Sequence, residues 1–167
     1  QTCALPICTT LLEQMLDRHP QVAGIGEYEG IVALGNHLTH VGAWPRGLGM
    51  LPPDLAAQMQ ANYLSDARTT DVAGKRWLVD KSLFTWRWLP AVAAVLPGAR
   101  LLHMARDPRD TAVSLYLSNF HAGSFAWTRT AEEIRTVMEM ERAHTIHAME
   151  VLGLPHVAIV YEDLVED

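Results

Sequence analysis

The stretch LLHMARDPRDTAVSLY constrains this chain more than any other. An apolar run ends in Arg106, and a helix start follows at once. Asp107 has the side chain of an N-cap, and Pro108 suits the first helical position. The reading is a buried strand that feeds directly into a helix, the junction of an open α/β sheet. In such sheets ligands bind beyond the carboxyl ends of the strands. Free amides and the positive dipole end at the helix start favour an anion there. Arg106 offers a planar fork to phosphate, and Ser114, farther along the same helix, offers a hydroxyl. Charge-assisted hydrogen bonds of this kind are worth roughly 1.5–3 kcal/mol each. The plainer alternative is that Arg106 is a surface cation paired with Asp107 or Asp110.

Around this junction the chain alternates strand and helix, which predicts an α/β domain with a mostly parallel sheet. TTLLEQMLDRHP carries a helical stripe at Leu11, Leu12, Met15 and Leu16, ended by His19-Pro20. QVAGIGE reads as a short strand running into a turn, and a helix follows from Tyr28 to about His40. Residues 53–68 read as a helix opened by proline. RWLVDK reads as a short buried strand. FTWRWLPAVAAVLPG reads as a helix with Pro90 as a complication, and residues 130–151 as a long amphipathic helix. HVAIVYED is the final strand. With 167 residues, the chain has enough length for one real core. Its net charge of -6 argues against a general nucleic-acid binder, though not against a locally positive pocket. No apolar run approaches the about 18 residues of a membrane span. Cys3 and Cys8 match no zinc spacing and make no disulfide framework, so a reducing, cytoplasmic setting is the default expectation.

Three further places carry chemistry. Thr9 and Thr10 open a helix where hydroxyls and free amides converge, which suits a phosphate as well as an ordinary N-cap. No Gly-x-x-x-x-Gly-Lys-Ser/Thr loop is present, so an ATP-type site is not supported. In GIGEYEG, Glu27 and Glu29 follow a strand and a glycine turn, where a carboxylate can take a proton from a hydroxyl or simply sit well at a helix start. In VDKSLFTW, Lys81 follows a strand and can point at the same pocket or into solvent. His37 with His40, and His144 with His147, sit three apart as metal ligands can, but no third ligand is evident. Trp77, Trp86 and Trp88 are assigned to the core or a pocket wall.

Taken together, TTLLEQMLDRHPQVAGIGE, DKSLFTW, PGARLLHMARDPRDTAVSLYLSNF and YEDLVED resemble the sulfotransferases that use 3'-phosphoadenosine 5'-phosphosulfate (PAPS), in particular the bacterial branch related to the tyrosylprotein enzymes. The resemblance runs from Cys8 onward. It implies a P-loop-like, three-layer α/β/α fold. It implies that Thr9 and Thr10 hold the 5'-phosphate of PAPS, and that Arg106 and Ser114 hold its 3'-phosphate. Glu27 would be the base, with Glu29 as the fallback, and Lys81 would stabilise the sulfuryl group or the departing phosphate. Tyr161 would lie near the adenine. The product would be 3',5'-ADP, with no metal required. The acceptor would be a hydroxyl on a small molecule, a carbohydrate or a peptide, chosen by loops such as 41–53 and 119–130.

The family opening is a strand, then Pro-Arg-Ser-Gly-Thr-Thr-Leu. This chain has Pro6, Ile7 and Cys8 before Thr9-Thr10, so the arginine and serine are lacking. QTCALPI is also what the codons CAG ACG TGT GCT CTT CCG ATC spell, which resemble a sequencing-library adapter. The expectation is therefore that residues 1–7 are an adapter-derived segment and residues 8–167 a partial sulfotransferase domain, cut at both ends. Its first strand would be missing or replaced, and its donor binding impaired. Two rival readings remain: a kinase-like nucleotide-dependent α/β enzyme, and a non-catalytic nucleotide-binding module.

Overall fold

The computed structural model describes residues 9–68, 72, 74–82, 84–118 and 125–166. The N-terminal segment, both cysteines and residues 119–124 of one expected acceptor loop therefore lie outside the described residues, as does the expectation of a missing first strand.

Helix α1 (Thr9–Asp17) leads into strand β1 (Val22–Gly24), and helices α2 (Gly30–His40) and α3 (Pro53–Ala67) follow. Strand β2 (Trp77–Val79) comes next, then a 3-10 turn (Thr85–Trp88) that runs into α4 (Leu89–Val95). Pro90 falls in the first turn of α4, where its missing N–H costs nothing, so the helix starts there instead of breaking. Strand β3 (Leu101–Ala105), helices α5 (Pro108–Leu117) and α6 (Ala131–Val151), strand β4 (His156–Val160) and the short helix α7 (Tyr161–Glu166) complete the order.

Both strand pairs are parallel. In the first, Val22, Ala23 and Gly24 lie opposite Trp77, Leu78 and Val79. In the second, Leu101 through Ala105 run beside His156 through Val160. The α/β class holds, and the strands come as two pairs: among the described residues β2 pairs only with β1, and β3 only with β4. At their entry ends the pairs are linked by Arg100, whose guanidinium lies 5.0 Å from the centre of the Trp77 ring.

The main core lies under α2, α3 and α4. Ile31, Leu34 and Leu38 pack with Met59, Ala91, Val92 and Val95. Trp88 lies against Gly35, where a Cβ would overlap the indole, so only glycine lets α2 approach this closely. A smaller cluster of Leu115 and Ile134 joins α5 to α6. The strands are less buried than their apolar sequence predicts. Of β3 only Met104 is fully covered, Trp77 of β2 is exposed, and β4 leaves Val157 and Val160 in solvent. Two-stranded pairs leave edges and faces that a wider sheet would cover. The last strand is also shorter than expected. It stops at Val160, and Tyr161 begins a helix.

Candidate active site

The turn after β1 is built by α1. Asp17 Oδ1 accepts the Gly24 amide at 2.9 Å, and Glu13 Oε1 accepts the Gly26 amide at 2.6 Å. Gly26 has a φ of 66°, a left-handed conformation that glycine adopts without steric cost. On the other side, the Ile25 amide donates to the Val79 carbonyl and the Lys81 amide to the Gly26 carbonyl, at 3.0 and 2.9 Å. The ends of β1 and β2 are thereby locked in register just where their charged residues emerge.

Those residues meet. Lys81 Nζ donates to Glu27 Oε1 at 2.9 Å, with the two side chains 13% and 26% exposed. Shelter from water strengthens the attraction between the two charges and also strips their hydration, so losing either partner would strand the other. It unites two groups 54 positions apart in sequence. Glu29, the alternative base, caps no group with its side chain; it occupies the N-cap position of α2 and is exposed.

Asp80 and Ser82 flank Lys81. Tyr63, reaching from α3, donates to Asp80 Oδ2 at 2.8 Å, and the Ser82 amide donates to Asp80 Oδ1 at 2.9 Å. The Ser82 hydroxyl lies in hydrogen-bond contact with both the Tyr28 carbonyl and Asp80 Oδ1. Burial raises the Asp80 carboxyl above the usual range, opposed by its bonds from Ser82 and Tyr63. Burial first, and then the Asp80 charge, pushes the Tyr63 phenol up, so it stays a neutral donor.

The second couple stands at the ends of β3 and β4. The Arg106 guanidinium lies 5.0 Å from the centre of the Tyr161 ring, and its Nη2 is 3.7 Å from Asp110 Oδ2. The Arg106–Asp110 pairing weighed from the sequence thus exists, alongside the stacking on Tyr161. Asp107 caps α5 by accepting the Arg109 amide at 2.7 Å, and its own amide donates to Glu162 Oε1 at 2.9 Å, tying α7 to the end of β3. Hydrogen bonds from Arg109 hold the Asp107 carboxyl down at about 2. Ser114 is half-buried on α5, and its carbonyl accepts from both the amide and the hydroxyl of Ser118. Thr9 and Thr10 form the first turn of α1, which packs on β1 and β2 and so belongs with the Glu27–Lys81 half.

Glu13, Tyr63, Asp80, Ser82 and Glu162 were not singled out from the sequence. Asp80 and Ser82 could have been found as polar neighbours of Lys81 at a strand end; Tyr63 carries no local signal. Among the described residues no group of three or more side chains suited to a metal occurs, and His144 packs its ring edge-on to Trp86. No helix of the described residues is long and apolar enough to cross a membrane.

The family model described as "Sulfotransferase family" matches residues 8–167. A protein of Aquifex aeolicus (strain VF5), named "Uncharacterized protein", is 30% identical over 122 residues, covering 68% of this chain and 16% of that protein. The chain therefore spans a small part of that relative's length. With strand-end charges placed as described and the match running from Cys8 to the last residue, the chain belongs to the sulfotransferase family.

Proposed function

We propose that the protein from which this chain comes transfers the sulfuryl group of PAPS to a hydroxyl acceptor, and that Glu27 and Lys81 are its catalytic couple. The observation that carries this reading is the 2.9 Å pair between them, set beyond the ends of two parallel strands. Glu27 is the base. It takes the proton as the acceptor oxygen bonds to sulfur and the bond from sulfur to the 5'-phosphate oxygen breaks. Lys81 is the group that meets the negative charge growing on that phosphate. A cation already in place is worth more than one that must reorganise during the reaction.

The donor's phosphates are assigned to the two remaining clusters. Thr9 and Thr10 supply hydroxyls and amides at the start of α1 for the 5'-phosphate. Arg106 and Ser114 hold the 3'-phosphate, and Tyr161, already stacked on Arg106, lies beside the adenine. PAPS itself supplies the activated sulfuryl group; these residues bind, orient and hold the proton. The setting is cytoplasmic and the source bacterial in this reading. The acceptor is a small-molecule, carbohydrate or peptide hydroxyl.

Two measurements test the function. Calorimetry on the recovered full-length protein should favour 3',5'-ADP over ATP; equal or reversed preference removes the donor assignment. The recovered full-length protein should pass labelled sulfate from PAPS to one of a panel of carbohydrate, phenolic-peptide and small hydroxyl acceptors. Glu27→Gln should lower that rate by roughly 10²–10⁴-fold, the range a positioned general base contributes.

A further inference from the structure

The segments carrying Glu27 and Lys81 are tied in a closed ring of contacts that neither residue joins. The Tyr28 and Tyr63 rings meet at 5.7 Å between centres, tilted by 58°. From Tyr63 the ring continues through its hydroxyl to Asp80 Oδ2 at 2.8 Å, through Asp80 Oδ1 to Ser82, and from the Ser82 hydroxyl back to the Tyr28 carbonyl. Tyr28 follows Glu27 directly, and Asp80 and Ser82 bracket Lys81.

We propose that Tyr63 is a positioning residue of the site: through Asp80 and Ser82 it fixes residues 80–82 against residues 27–28 and so sets the approach of Lys81 to Glu27. This assigns to α3 a part in the site, and its catalytic meaning rests on the reading of Glu27 and Lys81 given above. The chemistry of the ring favours the assignment. A phenylalanine would hold α3 against Tyr28 equally well by packing. The hydroxyl adds only the bond to Asp80, a half-buried carboxylate that burial alone disfavours. Satisfied buried polar networks often add little stability over an apolar filling yet rigidify what they join, which fits a part in fixing geometry here. Gly30 belongs to the same arrangement. A Cβ there would overlap the Tyr28 ring and come within 2.8 Å of Tyr63 Cε2, so glycine leaves the room in which the two rings meet.

The chain has two lysines, Lys75 and Lys81, which makes the test direct. Acetylation with a limiting amine reagent, read by peptide mass spectrometry, gives the rate at Lys81 relative to Lys75. Tyr63→Phe should raise that ratio about two- to tenfold, the span that one lost hydrogen bond allows. Ser82→Ala should do the same, and Ser82→Thr, which keeps the hydroxyl, should restore the wild-type ratio. Leu55→Ala removes apolar packing from the same helix and lowers stability without touching the ring, so it should leave the ratio unchanged. An unchanged ratio in both Tyr63→Phe and Ser82→Ala overturns the proposal, as does an equal rise in Leu55→Ala. If Tyr63→Phe does not fold, the Ser82 pair decides alone. A ratio that moves as stated while 3',5'-ADP shows no preference over ATP upholds the positioning role and sinks the donor assignment.

Discussion

Glu13 on α1 accepts the Gly26 amide at 2.6 Å, so the first described helix holds the turn that delivers Glu27. An amide bonded to a carboxylate is the strong kind of hydrogen bond, worth about 1.5–3 kcal/mol. Glu13→Ala should lower the unfolding free energy by about that amount, and Glu13→Gln, which keeps a neutral acceptor, by roughly half of it. Urea denaturation of the three proteins checks this. A Glu13→Gln as stable as the parent would mean that the charge on Glu13 is irrelevant to the turn, and no loss in either variant that the bond itself contributes nothing.

The half-buried pair of Glu141 and His103 makes a different prediction. His103 Nε2 lies 4.0 Å from Glu141 Oε1. Burial lowers the His103 pKa and raises that of Glu141. A histidine held down in this way is neutral at pH 7, so we read the contact as a close approach and not as an ion pair. Glu141 then carries a poorly compensated charge, helped by the Thr145 hydroxyl at 3.2 Å. A raised carboxyl pKa means that the folded state binds the proton more readily than the unfolded chain. Glu141 therefore costs stability at neutral pH, and that cost fades as pH falls through its folded pKa. Glu141→Gln should melt at a higher temperature than the parent at pH 7, with the gap closing toward pH 4. A lower melting temperature at pH 7 would show that the charge is satisfied.

Asp107 has the opposite sign. Its folded pKa is depressed to about 2, chiefly by the Arg109 side chain, below the unfolded value of about 3.9. The folded state therefore prefers the ionised form. Its contribution is fully present above about pH 4 and is lost as pH falls through about 2. Its partner Arg109 lies out in solvent, with a side chain 88% exposed, so salt should weaken the effect. The difference in urea midpoint between the parent and Asp107→Asn should shrink from pH 5 toward pH 2 and be smaller in high salt. A difference that grows on acidification would contradict the assignment.

The site was partly legible in the sequence, for reasons that differ by residue. Arg106, Lys81 and Glu27 all follow short apolar runs that end in turn signals, and strand ends are where parallel sheets place functional groups. The Asp107 cap and Pro108 start were written in local chemistry. What local chemistry does not encode is the meeting of distant segments. Tyr63 lies in a helix of ordinary composition, and its bond to Asp80 exists only because α3 packs where it does. Strand burial was overread because an apolar run does not say how many neighbours a strand will have. The strand reading ran on past Val160 because Val and Tyr favour strands; the helix that forms instead lets Glu162 accept the Asp107 amide.

Arg106 offers the most specific test of the donor assignment. Its guanidinium is near Asp110, one helical turn away at 3.7 Å, on a side chain 62% exposed. An anion arriving at Arg106 competes with that carboxylate. Exposed pairs at this spacing add only about 0.3–0.5 kcal/mol to stability, so Asp110→Asn should leave unfolding nearly unchanged. It removes a negative charge beside the proposed 3'-phosphate, so 3',5'-ADP should bind about two- to fivefold more tightly, an effect of the size expected for one screened surface charge. Adenosine 5'-monophosphate, which lacks the 3'-phosphate, should show no such gain. Arg106→Lys should weaken 3',5'-ADP binding, because lysine gives up the planar fork and the stacking on Tyr161. Calorimetry on the full-length protein, in the four combinations of Asp110→Asn and Arg106→Lys, separates the charge of residue 106 from its shape. A gain from Asp110→Asn that is the same for both nucleotides would place the 3'-phosphate elsewhere.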